Sequence, residues 1–118
     1  MFDHVTIRVA DVAATKRFYA TIAPYAGLRL GADSPQRVQF RGAGGSASFV
    51  PGTPTEHVHL AFPADDDATV DAFHAAATGA GYRDNGPPGE RSVYHRGYYG
   101  AFVIDPDGHN VEVVNHNR

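Results

Sequence analysis

Polar and apolar residues alternate from His4 to Val9, with Val5, Ile7 and Val9 on one side and His4, Thr6 and Arg8 on the other. A period of two is that of a half-buried strand, and it turns His4 away from the apolar face. Asp11 then stands where a helix N-cap belongs. Ala14, Phe18 and Ile22 recur every four residues, so a helix is predicted from about Val12 until Pro24 interrupts it. Gly27 turns the chain. Short strands are predicted near Leu28 to Leu30, Gln36 to Arg41 and Ala47 to Val50, separated by the turn-rich stretches Ala32-Asp33-Ser34-Pro35 and Gly42-Ala43-Gly44-Gly45. The first part of the chain therefore reads β-α-β-β-β.

Pro51-Gly52-Thr53-Pro54 reads as a linker, since two prolines and a glycine resist both a helix and a central strand. A second unit follows from residue 56. Glu56 to Phe62 alternates again, with Val58, Leu60 and Phe62 on one face and His57, His59 and Ala61 on the other. Asp66 caps a second helix whose Val70, Phe73, Ala77 and Ala80 form a buried stripe, and Gly81 ends it. Tyr82 to Asn85 is a short strand and Gly86-Pro87-Pro88-Gly89 a loop. Tyr98 to Ile104 is a strand, Asp105-Pro106-Asp107-Gly108 a turn, and Asn110 to Asn115 the last strand. There Val111 and Val113 take one face, which leaves Glu112 on the other in an otherwise apolar segment.

The two units repeat each other. At an offset of fifty-five positions His4 falls on His59, Ile7 on Phe62, Asp11 on Asp66 and Phe18 on Phe73. The expected organisation is one domain of two units, 1–51 and 56–118, joined by a linker at 51–55. With 118 residues, 42% of them hydrophobic and 19% charged, the chain has the length and balance of a single globular domain. No apolar run reaches membrane-span length. The strand pattern begins at once, with no basic segment and apolar stretch ahead of it, so a cytoplasmic location is expected. A net charge of -3 with scattered basic residues excludes nucleic acid as partner. Without cysteine, only His, Asp and Glu remain as strong metal ligands.

A duplicated histidine strand is the feature with chemical content. Either histidine alone would be an ordinary polar strand residue. Together with Glu112, His4 and His59 make a two-imidazole, one-carboxylate set that holds a divalent ion and leaves positions open for substrate. His57 competes with His59, and the internal alignment selects His59. The tract Tyr94-His95-Arg96-Gly97-Tyr98-Tyr99 is rich in groups that bind or move protons. His95, Tyr98 and Tyr99 are accordingly the candidate catalytic residues, with His95 as acid or base. Two motifs are declined. Gly42-Ala43-Gly44-Gly45 lacks the helix that a phosphate cradle needs, and Asp65-Asp66-Asp67 offsets a helix dipole rather than forming a calcium loop.

The chain resembles the vicinal-oxygen-chelate superfamily of glyoxalase I, extradiol dioxygenases and bleomycin-resistance proteins. The resemblance rests on HVTIRVAD with Phe18-Tyr19, on HLAF at His59 to Phe62, and on Phe102 to Glu112 with its DPDG turn. It implies an α+β fold of two tandem βαβββ units whose mixed sheet forms a cup with helices outside, and His4, His59 and Glu112 as metal positions. Glyoxalase I adds a carboxylate on the last strand of the first unit, where Ser48 stands here. The remaining ligand set is similar to that of extradiol dioxygenases. The resemblance further implies a homodimer, one divalent ion (Fe, Mn, Ni, Co or Zn) and a small substrate that chelates it through neighbouring oxygens, in a glyoxalase-like lyase or isomerase or an extradiol-type dioxygenase. The alternative is a metal-free dimeric protein that sequesters a drug or other ligand.

Overall fold

The computed structural model describes all residues, Met1–Arg118. The first unit contains β1 (His4–Val9), α1 (Val12–Ala26), β2 (Arg29–Ser34), β3 (Arg37–Arg41) and β4 (Ser46–Pro51). The second contains β5 (His59–Pro63), α2 (Asp67–Gly79), β6 (Arg83–Glu90), β7 (Tyr99–Ile104) and β8 (Asn110–Asn115). Each unit builds its own four-stranded mixed sheet, in the orders β1-β4-β3-β2 and β5-β8-β7-β6. In both, the helix carries the chain to the far edge and two antiparallel turns bring it back, so the last strand lies parallel to the first.

Both helices begin as their sequences require. Asp11 and Asp66 accept from the backbone N–H of Ala14 and Thr69, at 3.0 and 2.7 Å. The Thr69 bond also holds the Asp66 carboxyl below its usual range. α1 does not stop at Pro24, however, but carries it in its last turn and ends at Gly27, whose φ of 68° is left-handed. Pro24 and Ala20, whose carbonyl the missing N–H would have met, are both exposed, so solvent can replace the lost bond. In α2, Val70, Phe73 and Ala77 are buried but Ala80 is exposed, and the helix ends at Gly79.

Each helix covers one face of its sheet, and the two helices pack on each other. One core joins the units. Tyr19 stacks on Phe49 at 4.5 Å and meets Phe62 of the second unit edge-on at 6.4 Å, while Phe18 meets Tyr82 edge-on at 4.8 Å. The chain between units is pinned to both: Thr55 exchanges bonds with the Arg8 backbone, and its carbonyl accepts from His109 Nε2 at 2.7 Å.

Three strand expectations need correction. β2 runs on to Ser34, so Ala32-Asp33-Ser34 lies in the strand, with a register shift between Leu30 and Asp33, and the turn is left to Pro35 and Gln36. β5 starts at His59, not Glu56, because His57 takes a left-handed φ of 58° that breaks the alternation. His57 and His59 therefore do not share a strand face. Gly86-Pro87-Pro88-Gly89 lies within β6 rather than in a loop. β6 is an edge strand, where prolines forgo no central ladder bond, and the irregularity is taken up by register shifts on either side of Gly86.

The faces of the two sheets that the helices do not cover carry alternate residues of each strand. On the first sheet they include His4, Thr6, Arg8, Ser48, Gln39 and Arg41; on the second, His59, Ala61, Glu112, Gly100 and Phe102. No helix is long and apolar enough to cross a membrane.

Candidate metal and substrate site

Val111 and Val113 of β8 are fully buried in the shared core, so the period of two sends Glu112 to the open face. Glu112 is nevertheless only 1% exposed. Ala61 and Phe102 flank it as cross-strand neighbours, and His59 and Tyr98 supply its bonds. A buried carboxylate requires donors, and it has one for each oxygen. His59 Nε2 donates to Oε1 at 2.9 Å, and the Tyr98 hydroxyl donates to Oε2 in a short bond. Burial, and next the bond to Glu112, push the Tyr98 phenol well above its ordinary pKa, so it stays neutral and donating. Space for this pair comes from Gly100, where a Cβ would lie 3.0 Å from Glu112 Oε2 and 3.3 Å from Tyr98 Cε1.

The other expected residues separate. His4 lies on the open face of the first sheet with 64% of its side chain exposed and Nδ1 2.8 Å from Asp3. It does not join His59 and Glu112 within one chain, since the only three His, Asp or Glu side chains whose ligand atoms all lie within 4.8 Å of one another are Asp105, Asp107 and His109. Tyr99 points to the helix side, its hydroxyl donating to Asp71 of α2 at 2.6 Å. That bond raises its pKa. His95 makes no bond to Glu112. Its Nδ1 donates to the Arg96 carbonyl and its Nε2 lies 2.8 Å from His116 Nδ1. The two imidazoles stack and each meets the Tyr98 ring edge-on at 5.3 Å, with Tyr94 closing a third side at 4.8 Å. His95 thus positions Tyr98. His116 and Gly100 escaped the sequence reading, since neither lies in a motif and the β7–β8 register is what brings His116 to Tyr98 and Gly100 to Glu112. Ser48 is buried and accepts from Arg37 Nε at 3.2 Å.

The Asp105, Asp107 and His109 group holds the β7–β8 turn. Asp105 Oδ1 accepts from the backbone N–H groups of Asp107 and His109, and its Oδ2 lies 3.0 Å from His109 Nδ1. His109 Nε2 is spent on Thr55. Both nitrogens of His109 and both oxygens of Asp105 are therefore engaged, and burial raises the Asp105 pKa. An ion there would have to displace the bonds that shape the turn. His59 Nε2 and both Glu112 oxygens are likewise hydrogen-bonded, so an ion held by His59 and Glu112 would take the place of the proton between them.

A family profile described as the Glyoxalase/Bleomycin resistance protein/Dioxygenase superfamily matches residues 1–113. Among solved structures, a glyoxalase/bleomycin resistance protein from Albidiferax ferrireducens is 30% identical, covers 98% of each chain and has a TM-score of 0.82. A glyoxalase/bleomycin resistance protein/dioxygenase family enzyme from Burkholderia phytofirmans is similar in fold at 22% identity, 96% coverage of both chains and a TM-score of 0.77. So is a lactoylglutathione lyase from Agrobacterium tumefaciens, at 20% identity, 98% and 92% coverage and a TM-score of 0.74. No curated protein gives a significant match. With its paired βαβββ units and a family match that spans nearly every residue, the chain belongs to the glyoxalase/bleomycin resistance protein/dioxygenase superfamily.

Proposed function

We propose that the protein is a divalent-metal-dependent enzyme for a small substrate that chelates the ion through vicinal oxygens, a glyoxalase-like lyase or isomerase or an extradiol-type dioxygenase. The observation that carries this reading is the buried Glu112 carboxylate on the open sheet face, with His59 Nε2 2.9 Å from its Oε1. His59 and Glu112 would hold the ion together with the partner's His4, brought over them when the open face of one chain's first sheet covers the second sheet of another. The protein then works as a homodimer with two sites. When bound, the ion supplies a Lewis acid that stabilises negative charge developing on the substrate oxygens. Tyr98, which stays neutral, orients the Glu112 carboxylate and can turn its hydroxyl to donate a hydrogen bond to such an oxygen. His95, His116 and Tyr94 fix the Tyr98 ring, and Phe102 and Ala61 keep water from the carboxylate.

Elemental analysis of untagged protein tests the reading. About one divalent ion per chain is expected, lost in Glu112→Gln and His59→Ala while circular dichroism is unchanged. Metal-free protein that turns over or binds its ligand undiminished would sink it. A metal-free ligand-sequestering dimer is the second reading, and Tyr98 favours it, because with its hydroxyl on Oε2 the carboxylate is already satisfied. Equilibrium dialysis against a cationic glycopeptide in the presence of chelator separates the two.

A further inference from the structure

The arginines that look scattered in the sequence are gathered by strand register. His4 pairs with Ser46, Thr6 with Ser48, Gln39 with Ser48, Arg41 with Ser46 and Arg29 with Arg41, which puts Arg29 and Arg41 on the same open face as His4. Arg37, two residues from Gln39, joins them by donating to Ser48. Directly opposed like charges destabilise a sheet, and Arg29 and Arg41 are directly opposed. No carboxylate relieves them, since the only lysine or arginine paired with a carboxylate is Lys16, with Asp33.

The Arg41 guanidinium is nonetheless held in place. Arg41 Nε donates to Gln39 Oε1 at 3.1 Å, and Gln39, only 8% exposed, donates from Nε2 to Ser46 Oγ at 3.3 Å. This fixes the plane of Arg41 and leaves its terminal nitrogens free. Gly31 makes the arrangement possible: a Cβ there would stand 2.7 Å from Gln39 Oε1 and 3.0 Å from Arg41 Nε. Arg29, Gln39, Arg41 and Ser46 line a polar cavity of about 330 Å³ with no hydrophobic wall. Its single acid, Asp3, is engaged by His4.

We propose that Arg29 and Arg41 form a binding site for an anionic group, carboxylate or phosphoryl, of a small ligand. Two unpaired guanidinium groups on opposed strands, one of them held in plane by Gln39, suit bidentate contact with such an oxygen cluster. The assignment of this anion to the substrate rests on the dimeric metal-site reading, because the arginines share the face that carries His4. The anion site itself does not.

Isothermal titration of metal-free protein with inorganic phosphate, and separately with succinate, tests the proposal. Saturable binding of at least one of them is expected, and the preferred one names the group. Arg29→Ala and Arg41→Ala should each weaken it about ten-fold, the loss of one charge-assisted contact. Arg17→Ala, on the exposed side of α1, should leave it unchanged. Gly31→Ala keeps both charges but displaces Gln39 and Arg41, so it should weaken binding as well, whereas mere charge attraction would not register it. Binding of neither anion, or equal affinity in wild type and both arginine variants, overturns the proposal. Metal stoichiometry measured on the same variants keeps the readings apart: anion binding without metal retains this site and rejects the metal enzyme, and the reverse result does the opposite.

Discussion

Removing the Tyr98 hydroxyl leaves Glu112 Oε2 buried without its donor. Tyr98→Phe should therefore lower stability by about 1–3 kcal/mol in urea denaturation. Under the metal reading, added zinc should recover part of that loss, since a cation bound only by the native state takes over the neutralisation of the carboxylate. That His59 and Glu112 meet on the open sheet face was legible in the sequence because alternation fixes which strand residues leave the core, and because the internal repeat singles out His59. The choice between Tyr98 and Tyr99 was not. They are adjacent, and a shift of one residue sends one to Glu112 and the other to Asp71 on the opposite side of the sheet. Gly100 was equally silent, for a glycine in a strand announces close approach without saying of what.

The edge strand β6 shows what a tertiary contact adds to local propensity. Its Gly-Pro-Pro-Gly stretch has the composition of a loop, yet Asp84, just before the bulge, ties it to α2. Asp84 Oδ1 lies 2.8 Å from His74 Nε2 and accepts from the Gly86 N–H at 2.8 Å. The His74 bond first, and the Gly86 bond second, hold the Asp84 carboxyl below its ordinary value. A depressed folded pKa means that the contribution is present above the unfolded value of about 3.9 and is lost as pH falls through the folded one. Thermal melts from about pH 5 to about pH 3 should therefore show a steeper loss of Tm in wild type than in Asp84→Asn. An equal slope would remove Asp84 from the acid response. The helices, by contrast, were readable from their caps and apolar spacing, and misled only near their ends: Ala80 lies past the last turn of α2, and Pro24, on the solvent side of the last turn of α1, interrupts little.

For the molecule as a whole, two open sheet faces, one arginine-rich and one holding a buried carboxylate, lie outside a single helix-joined core. The two βαβββ units were legible as a repeat. How their faces relate was not, because residue patterns report which side is apolar and not which chain covers it. Light scattering should give twice the chain mass of 12.6 kDa, and a monomer at micromolar concentration would count against the closed cup.

The separation of His4 from His59 and Glu112 within one chain also has a genetic meaning. In a dimer, each site would take His4 from one subunit and the other two ligands from its partner. His4→Ala and Glu112→Gln would each bind no metal alone. Mixed, dissociated and reassembled at random, they should regain about a quarter of the wild-type metal content, because half the dimers are mixed and each mixed dimer has one intact site and one doubly damaged site. Two broken proteins would repair each other, and the fraction repaired would count the chains that share a site.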